Sequence, residues 1–125
     1  MNVQTTFSGF SVDNLIAAKR FYGDILGFGL HDEVGGVRMT LPGGATAWMY
    51  AKADHQPASY TMLDLVVQNI DQVVDELVRN GVTFERYPGT PQDTIGVMRG
   101  KDNARGPNIA WFKDPAGNIL ALVEN

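Results

Sequence analysis

Fourteen carboxylates, ten lysines and arginines, two histidines and no cysteine set the chemistry open to this 125-residue chain. Without cysteine there are no disulfides, no thiolate metal sites and no cysteine nucleophile. Ser8, Ser11 and Ser59 have no histidine in an evident triad order, and no Gly-x-Ser-x-Gly elbow is present. The glycines around Gly96 and Gly100 do not open a helix after a strand, so no phosphate loop is indicated. His31 falls in an edge-like strand and His55 in a polar connector, so both are expected to face solvent. The charged residues best placed for acid–base or orienting work are Asp64, as a general base, and Arg38, as a partner for a carboxylate.

These residues must be held by an element pattern that occurs twice, about 55 residues apart. In the first copy Thr5 to Val12 alternates as a strand, Asp13 or Asn14 caps a helix, and Ala18, Phe21, Tyr22, Ile25 and Leu26 recur at helical spacing up to Gly27. Strands follow at Phe28 to Glu33, Val37 to Leu41 and Ala45 to Lys52, separated by Gly35-Gly36 and Pro42-Gly43-Gly44. Ala53 to Ser59 reads as a connector. The second copy has a strand at Tyr60 to Val67, a helix from Ile70 to Asn80 and a strand at Val82 to Tyr87. A long segment, Pro88 to Pro107, then leads to Asn108 to Lys113, an Asp114-Pro115-Ala116-Gly117 turn and a last strand to Glu124. The expected organisation is one domain, 1–125, made of modules 1–53 and 60–125. A module of this kind does not bury its apolar face alone, so two should pack and leave a seam where function lies.

The net charge of −4 and pI near 4.9 argue against a phosphate-backbone partner. Arg99, Lys101 and Arg105 are the one local basic group. No apolar run reaches bilayer length, and the N-terminal residues lack a charged region followed by an apolar one. The expectation is a cytoplasmic protein with no membrane and no nucleic-acid partner.

Asn14-Leu15, Arg20-Phe21-Tyr22, Ile25-Leu26-Gly27-Phe28 and Trp111-Phe112-Lys113-Asp114-Pro115-Ala116-Gly117-Asn118 together resemble the vicinal oxygen chelate superfamily. That superfamily includes glyoxalase I, extradiol dioxygenases, fosfomycin-resistance and bleomycin-resistance proteins. The resemblance implies an α+β fold, two β-α-β-β-β modules forming a curved, mostly antiparallel eight-stranded sheet around a cleft. It also implies a homodimer, as is common for relatives with single two-module chains. Members that chelate a divalent metal carry ligands on the first and last strand of each module. Transferred by spacing, those positions here are Phe7, Trp48, Met62 and Ala121, none of which suits a hard or borderline divalent ion. No metal and no cofactor are therefore expected at the family position.

With Phe7 and Met62 facing the cleft, strand alternation adds Gly9, Ser11, Asp64, Trp48 and Tyr50 to that face. Trp111 joins them if Phe112 packs under the helices. The candidate ligand-binding set is Phe7, Arg38, Trp48, Tyr50, Met62, Asp64 and Trp111, an organic-ligand pocket, with Pro88 to Pro107 hinged at Gly89, Gly96, Gly100 and Gly106 as its lid. The function expected is metal-independent sequestration of a small aromatic or amphipathic molecule, as in bleomycin-resistance-type proteins. Two alternatives stand beside it. One is a glyoxalase-like lyase or isomerase, or a dioxygenase-related enzyme of the same superfamily, using Asp64 as base or a relocated metal on His31, Glu33 and Glu85. The other is a dimeric interaction module whose aromatic seam binds nothing.

Overall fold

The computed structural model describes residues 1–125, which divide into two compact units, Met1–Pro57 and Ala58–Asn125. In the first, β1 (Ser8–Val12) leads to a helix, α1 (Leu15–Lys19), that continues as a π-helical turn over Arg20–Ile25. Strands β2 (Gly29–Glu33), β3 (Gly36–Thr40) and β4 (Thr46–Ala51) follow. The second unit has β5 (Thr61–Val66), α2 (Ile70–Arg79), β6 (Met98–Arg99), β7 (Asn108–Lys113) and β8 (Ile119–Glu124), with a 3-10 turn at Gly100–Asn103. The architecture is α+β, built from two β-α-β-β-β modules. Each forms its own four-stranded sheet, ordered β1-β4-β3-β2 and β5-β8-β7-β6. In both, the first and last strands of the unit pair parallel, and the other pairs are antiparallel. No helix is long and apolar enough to cross a membrane.

The same local chemistry starts both helices. Asn14 Oδ1 accepts from the Ala17 N–H at 3.0 Å, and Asn69 Oδ1 accepts from the Gln72 N–H at 3.1 Å, each satisfying an otherwise orphan donor of the first turn. The π-helical turn advances fewer degrees per residue than an α-helix, which helps two consecutive rings, Phe21 and Tyr22, share the buried face. Tyr22 meets Phe10 of β1 at a centroid distance of 5.5 Å and Phe21 edge-on at 5.1 Å. In the second unit Ile70, Val74 and Leu77 of α2 are buried with Phe112, Leu120 and Leu122 of the sheet, where the helix contacts β7 and β8.

Two expectations change here. Val82 to Tyr87 is not a strand; it makes a single bridge, Phe84 to Phe112. The side chain of Gln92 takes the place of a strand neighbour, accepting from the Tyr87 N–H and donating to the carbonyls of Glu85 and Gly96, all at 2.9 Å. The edge strand that is continuous in the first unit is thus split here into the Phe84 bridge and β6.

The long segment is also tied to its own unit, rather than being a free lid. Asp93 accepts from the backbone N–H groups of Ile95 and Val97 at 3.1 and 2.9 Å and from Arg99 Nε at 2.8 Å. Arg99 reaches on to both carboxylate oxygens of Asp71 on α2. Beyond it, Asn108 Oδ1 accepts from the Lys101 N–H, and Asn108 Nδ2 donates to Glu124.

Candidate functional site

The alternation along β1, β3 and β4 gives the first sheet one buried face, with Phe10, Val37, Met39, Ala47 and Met49, and one open face. Cross-strand partners share a face, so the register Gly9–Trp48–Arg38–His31 lays one row across all four strands of the open side. Ser11 pairs with Tyr50 in the next row. Arg38, Trp48 and Tyr50 therefore share one face of the first sheet. Phe7 precedes the first residue of β1 and is 67% exposed.

Trp48 has a specific seat. A Cβ added at Gly36 would lie 2.8 Å from its Cζ2 and 3.1 Å from its Cη2, and one at Gly35 would lie 3.8 Å from Cζ2. The indole rests on the glycine pair of the β2–β3 turn, in space that any side chain at Gly36 would take. Gly35 also has φ +91°, which favours glycine for a separate reason. From sequence this pair signals a turn; its second role, as a platform for the ring, depends on β3 lying beside β4.

Ser11 and His55 require a correction. They are joined by a hydrogen bond of 2.6 Å between Ser11 Oγ and His55 Nδ1, and His55 is half-buried rather than solvent-facing. The chain turns back after β4: the Lys52 N–H donates to the Val12 carbonyl at 2.9 Å, and the His55 N–H donates to the Lys52 carbonyl at 3.1 Å. That turn carries the imidazole to β1. The hydroxyl and ring form a polar group beside Tyr50, able to donate or accept according to the histidine tautomer. Arg38, for its part, pairs with Glu33 at 3.4 Å.

In the second unit the register Asp64–Ala121–Trp111 places those residues on one face of its sheet. Phe112 is fully buried on the other face. Met62 lies at a bulge between Thr61 and Leu63 and has no direct register partner on β8. Trp111 meets Tyr87 edge-on at 5.6 Å, and the two line a shallow groove of about 240 Å³ with Ser59, Tyr60, Thr61 and Ile119. The Tyr87 hydroxyl is buried without a hydrogen-bond partner, and burial together with the nearby Glu85 carboxylate raises its pKa.

No group of three or more histidine, aspartate or glutamate side chains converges to hold a metal ion. Of the carboxylates named for a relocated site, Glu33 pairs with Arg38, and Glu85 pairs with Lys113 at 3.1 Å.

A family model, the Glyoxalase/Bleomycin resistance protein/Dioxygenase superfamily, matches residues 5–122. Among solved structures the chain is similar to the genomically encoded fosfomycin resistance protein FosX from Listeria monocytogenes, with a TM-score of 0.73, 13% identity and coverage of 100% of this chain and 95% of that one. It is similar to TnmS3, an antibiotic binding protein from Streptomyces sp. CB03234, with a TM-score of 0.66, 21% identity and coverage of 99% and 98%. A putative glyoxalase family protein from Bacillus anthracis aligns with a TM-score of 0.67, 18% identity and coverage of 100% and 98%. At these identities the structures establish a shared fold. No curated protein sequence matches.

Proposed function

The chain belongs to the glyoxalase/bleomycin resistance protein/dioxygenase superfamily, and from that premise we propose that it binds and sequesters a small aromatic or amphipathic organic molecule without using a metal. The observation that carries this reading is the open face of the first sheet. It presents a half-buried indole on a glycine seat, a second aromatic ring, a guanidinium and a serine–histidine pair. Such a face stacks a planar group on Trp48 and Tyr50. Arg38 attracts an anionic substituent, and Ser11 with His55 hydrogen-bonds a hydroxyl, carbonyl or amine. Phe7, just before β1, belongs to the same proposed set, and in the second unit Met62, Asp64 and Trp111 are proposed as ligand-binding residues in their own right. The absence of ligating side chains at Phe7, Trp48, Met62 and Ala121 supports a role that needs affinity rather than metal chemistry. The antibiotic-binding function named for TnmS3, a protein of the same fold, points the same way.

The test is tryptophan fluorescence of the metal-analysed protein titrated with a panel of planar aromatic antibiotics. The expected result is saturable quenching that Trp48→Ala weakens by about 1–3 kcal/mol, the range for a buried aromatic anchor, while the variant keeps its fold. Titrations in which no panel member quenches, or stoichiometric zinc, iron, manganese or nickel in protein purified without chelator, would defeat the reading. The proposal includes a cytoplasmic homodimer. Phe7, Tyr60 and Val66, between 67% and 70% exposed, are apolar surface for a second copy to cover. A monomer in sedimentation at tens of micromolar, on the order of a working concentration for a stable dimer, would remove that part.

A further inference from the structure

The second unit has a groove beside α2, at the edge of the helix stripe that packs on the sheet. Asp71, Val74, Asp75 and Val78 recur at i, i+3, i+4 and i+7 and form one wall. The other wall is the segment that failed to become a strand, with Val82 and Phe84 at its base and Ile95 at its mouth. The space is about 620 Å³, within the range that takes a drug-sized molecule. Val78 and Ile95 remain 52% and 39% exposed, so the mouth of the groove is apolar surface that the chain itself does not cover, while Val74, Val82 and Phe84 are buried behind it.

Most of the charge at the rim is already paired, and Arg99 serves both Asp71 and Asp93. Asp71 is held by Arg99, and Asp75 by Arg79 at 2.9 Å. Arg86 alone among the charged groups lining the groove has no carboxylate: it donates through Nη1 and Nη2 to the carbonyls of Asp93 and Thr94, both at 2.6 Å. Its guanidinium also lies over Gly96, where an added Cβ would sit 3.7 Å from Nε. The cation is thus fixed in place by neutral acceptors while its net charge and remaining N–H donors stay available.

We propose that this groove is a second binding site, for a small amphipathic anion whose carboxylate or sulfonate pairs with Arg86 while its apolar body lies against Val78, Val82 and Ile95. The inference is independent of the aromatic face of the first sheet. It uses other residues in the other unit.

The test uses 8-anilinonaphthalene-1-sulfonate and its neutral analogue N-phenyl-1-naphthylamine, with amide chemical shifts recorded on the full chain. The anionic probe is expected to shift the amides of Val78, Thr83 and Ile95 and to bind about tenfold more tightly than the neutral one, the size of one charge-assisted hydrogen bond. Arg86→Gln should remove that tenfold difference. Val78→Asp, at an exposed position, should weaken both probes, and Trp48→Ala should leave these amide shifts in place. Equal affinity for the two probes, or shifts confined to the first unit, would overturn the proposal. Shifts at these amides that follow protein concentration rather than probe would assign the groove to a second copy, and so would also overturn it. If Arg86→Gln does not fold, the wild-type comparison of the two probes and the shift map still decide.

Discussion

The turns that enter β4 and β8 have the same backbone and different reinforcement. In the first unit the Leu41 N–H donates to the Ala45 carbonyl at 2.9 Å and the Gly44 N–H to the Leu41 carbonyl at 3.2 Å. In the second, the Asp114 N–H donates to the Asn118 carbonyl at 2.9 Å and the Gly117 N–H to the Asp114 carbonyl at 3.0 Å. There, however, the buried Asp114 also accepts from the Ala116 N–H, the Asn118 N–H and Asn118 Nδ2, each at 2.9 Å. The first unit reaches the same geometry with Pro42, Gly43 and Gly44, glycine supplying the positive φ. The same contrast runs through both units. The first is short-looped, and its open face carries aromatic and polar side chains in a regular register. The second contains a long segment held by charged side chains, and its edge strand is broken. Two copies of one motif thus present different surfaces, an aromatic sheet face in one and a groove beside a helix in the other.

The largest effect should come from the reinforced turn. Asp114→Ala leaves buried donors without their acceptor and is expected to cost about 3 kcal/mol in denaturant unfolding, in the range for hydrogen bonds to a charged group. Gly44→Ala, strained only by a φ of +92° with open space around it, should cost about 1 kcal/mol. Equal costs would break the contrast between the turns.

Next in size is the seat of Trp48. Gly36→Ala drives a methyl into the Met49 carbonyl and the indole and should destabilise by about 2 kcal/mol. It should also displace Trp48, seen as an altered emission maximum. A variant of unchanged stability and emission would show that the ring is not seated there.

Acid should act on the second unit's long segment. The Arg99 guanidinium holds the Asp71 carboxyl below its usual range. Burial alone would raise Asp93, but the Val97 N–H and Arg99 bring it below as well. For Glu124, the Ile70 N–H at the start of α2 is the largest lowering influence. Carboxyls with depressed folded pKa values contribute stability that is present above the usual carboxylate range, near pH 4, and lost as pH falls through the lower folded values. Hydrogen exchange of the Val97 amide, corrected for intrinsic rate, should therefore accelerate below about pH 4. Protection that stays constant down to pH 2, roughly two units below that range, would contradict the role given to these carboxylates.

The smallest effect belongs to the rim pair of the open face. Arg38 and Glu33 are both more than a third exposed, so Arg38→Gln should change stability by less than about 0.5 kcal/mol. If it nevertheless weakens binding of an anionic aromatic ligand, Arg38 acts on the ligand rather than on the fold.

The sequence by itself determined the element order of the first unit, a polar cap at Asp13 or Asn14 for its helix, the glycine turns and the strand phase that separates Trp48 from Met49. These are local properties, fixed by side-chain periods of two and 3.6 residues and by which residues tolerate positive φ. Only the tertiary structure decided which local units meet. Ser11 and His55 are 44 residues apart, and no spacing rule links a strand residue to a histidine in a polar connector. Gly36 reads as a turn until β3 and β4 lie side by side and an indole needs its space. Val82 to Tyr87 has strand-like residues, but its backbone partners were claimed by the side chain of Gln92. Periodicity reports which face a residue takes, whereas competition for hydrogen-bonding groups is settled only when the chain has brought the competitors together.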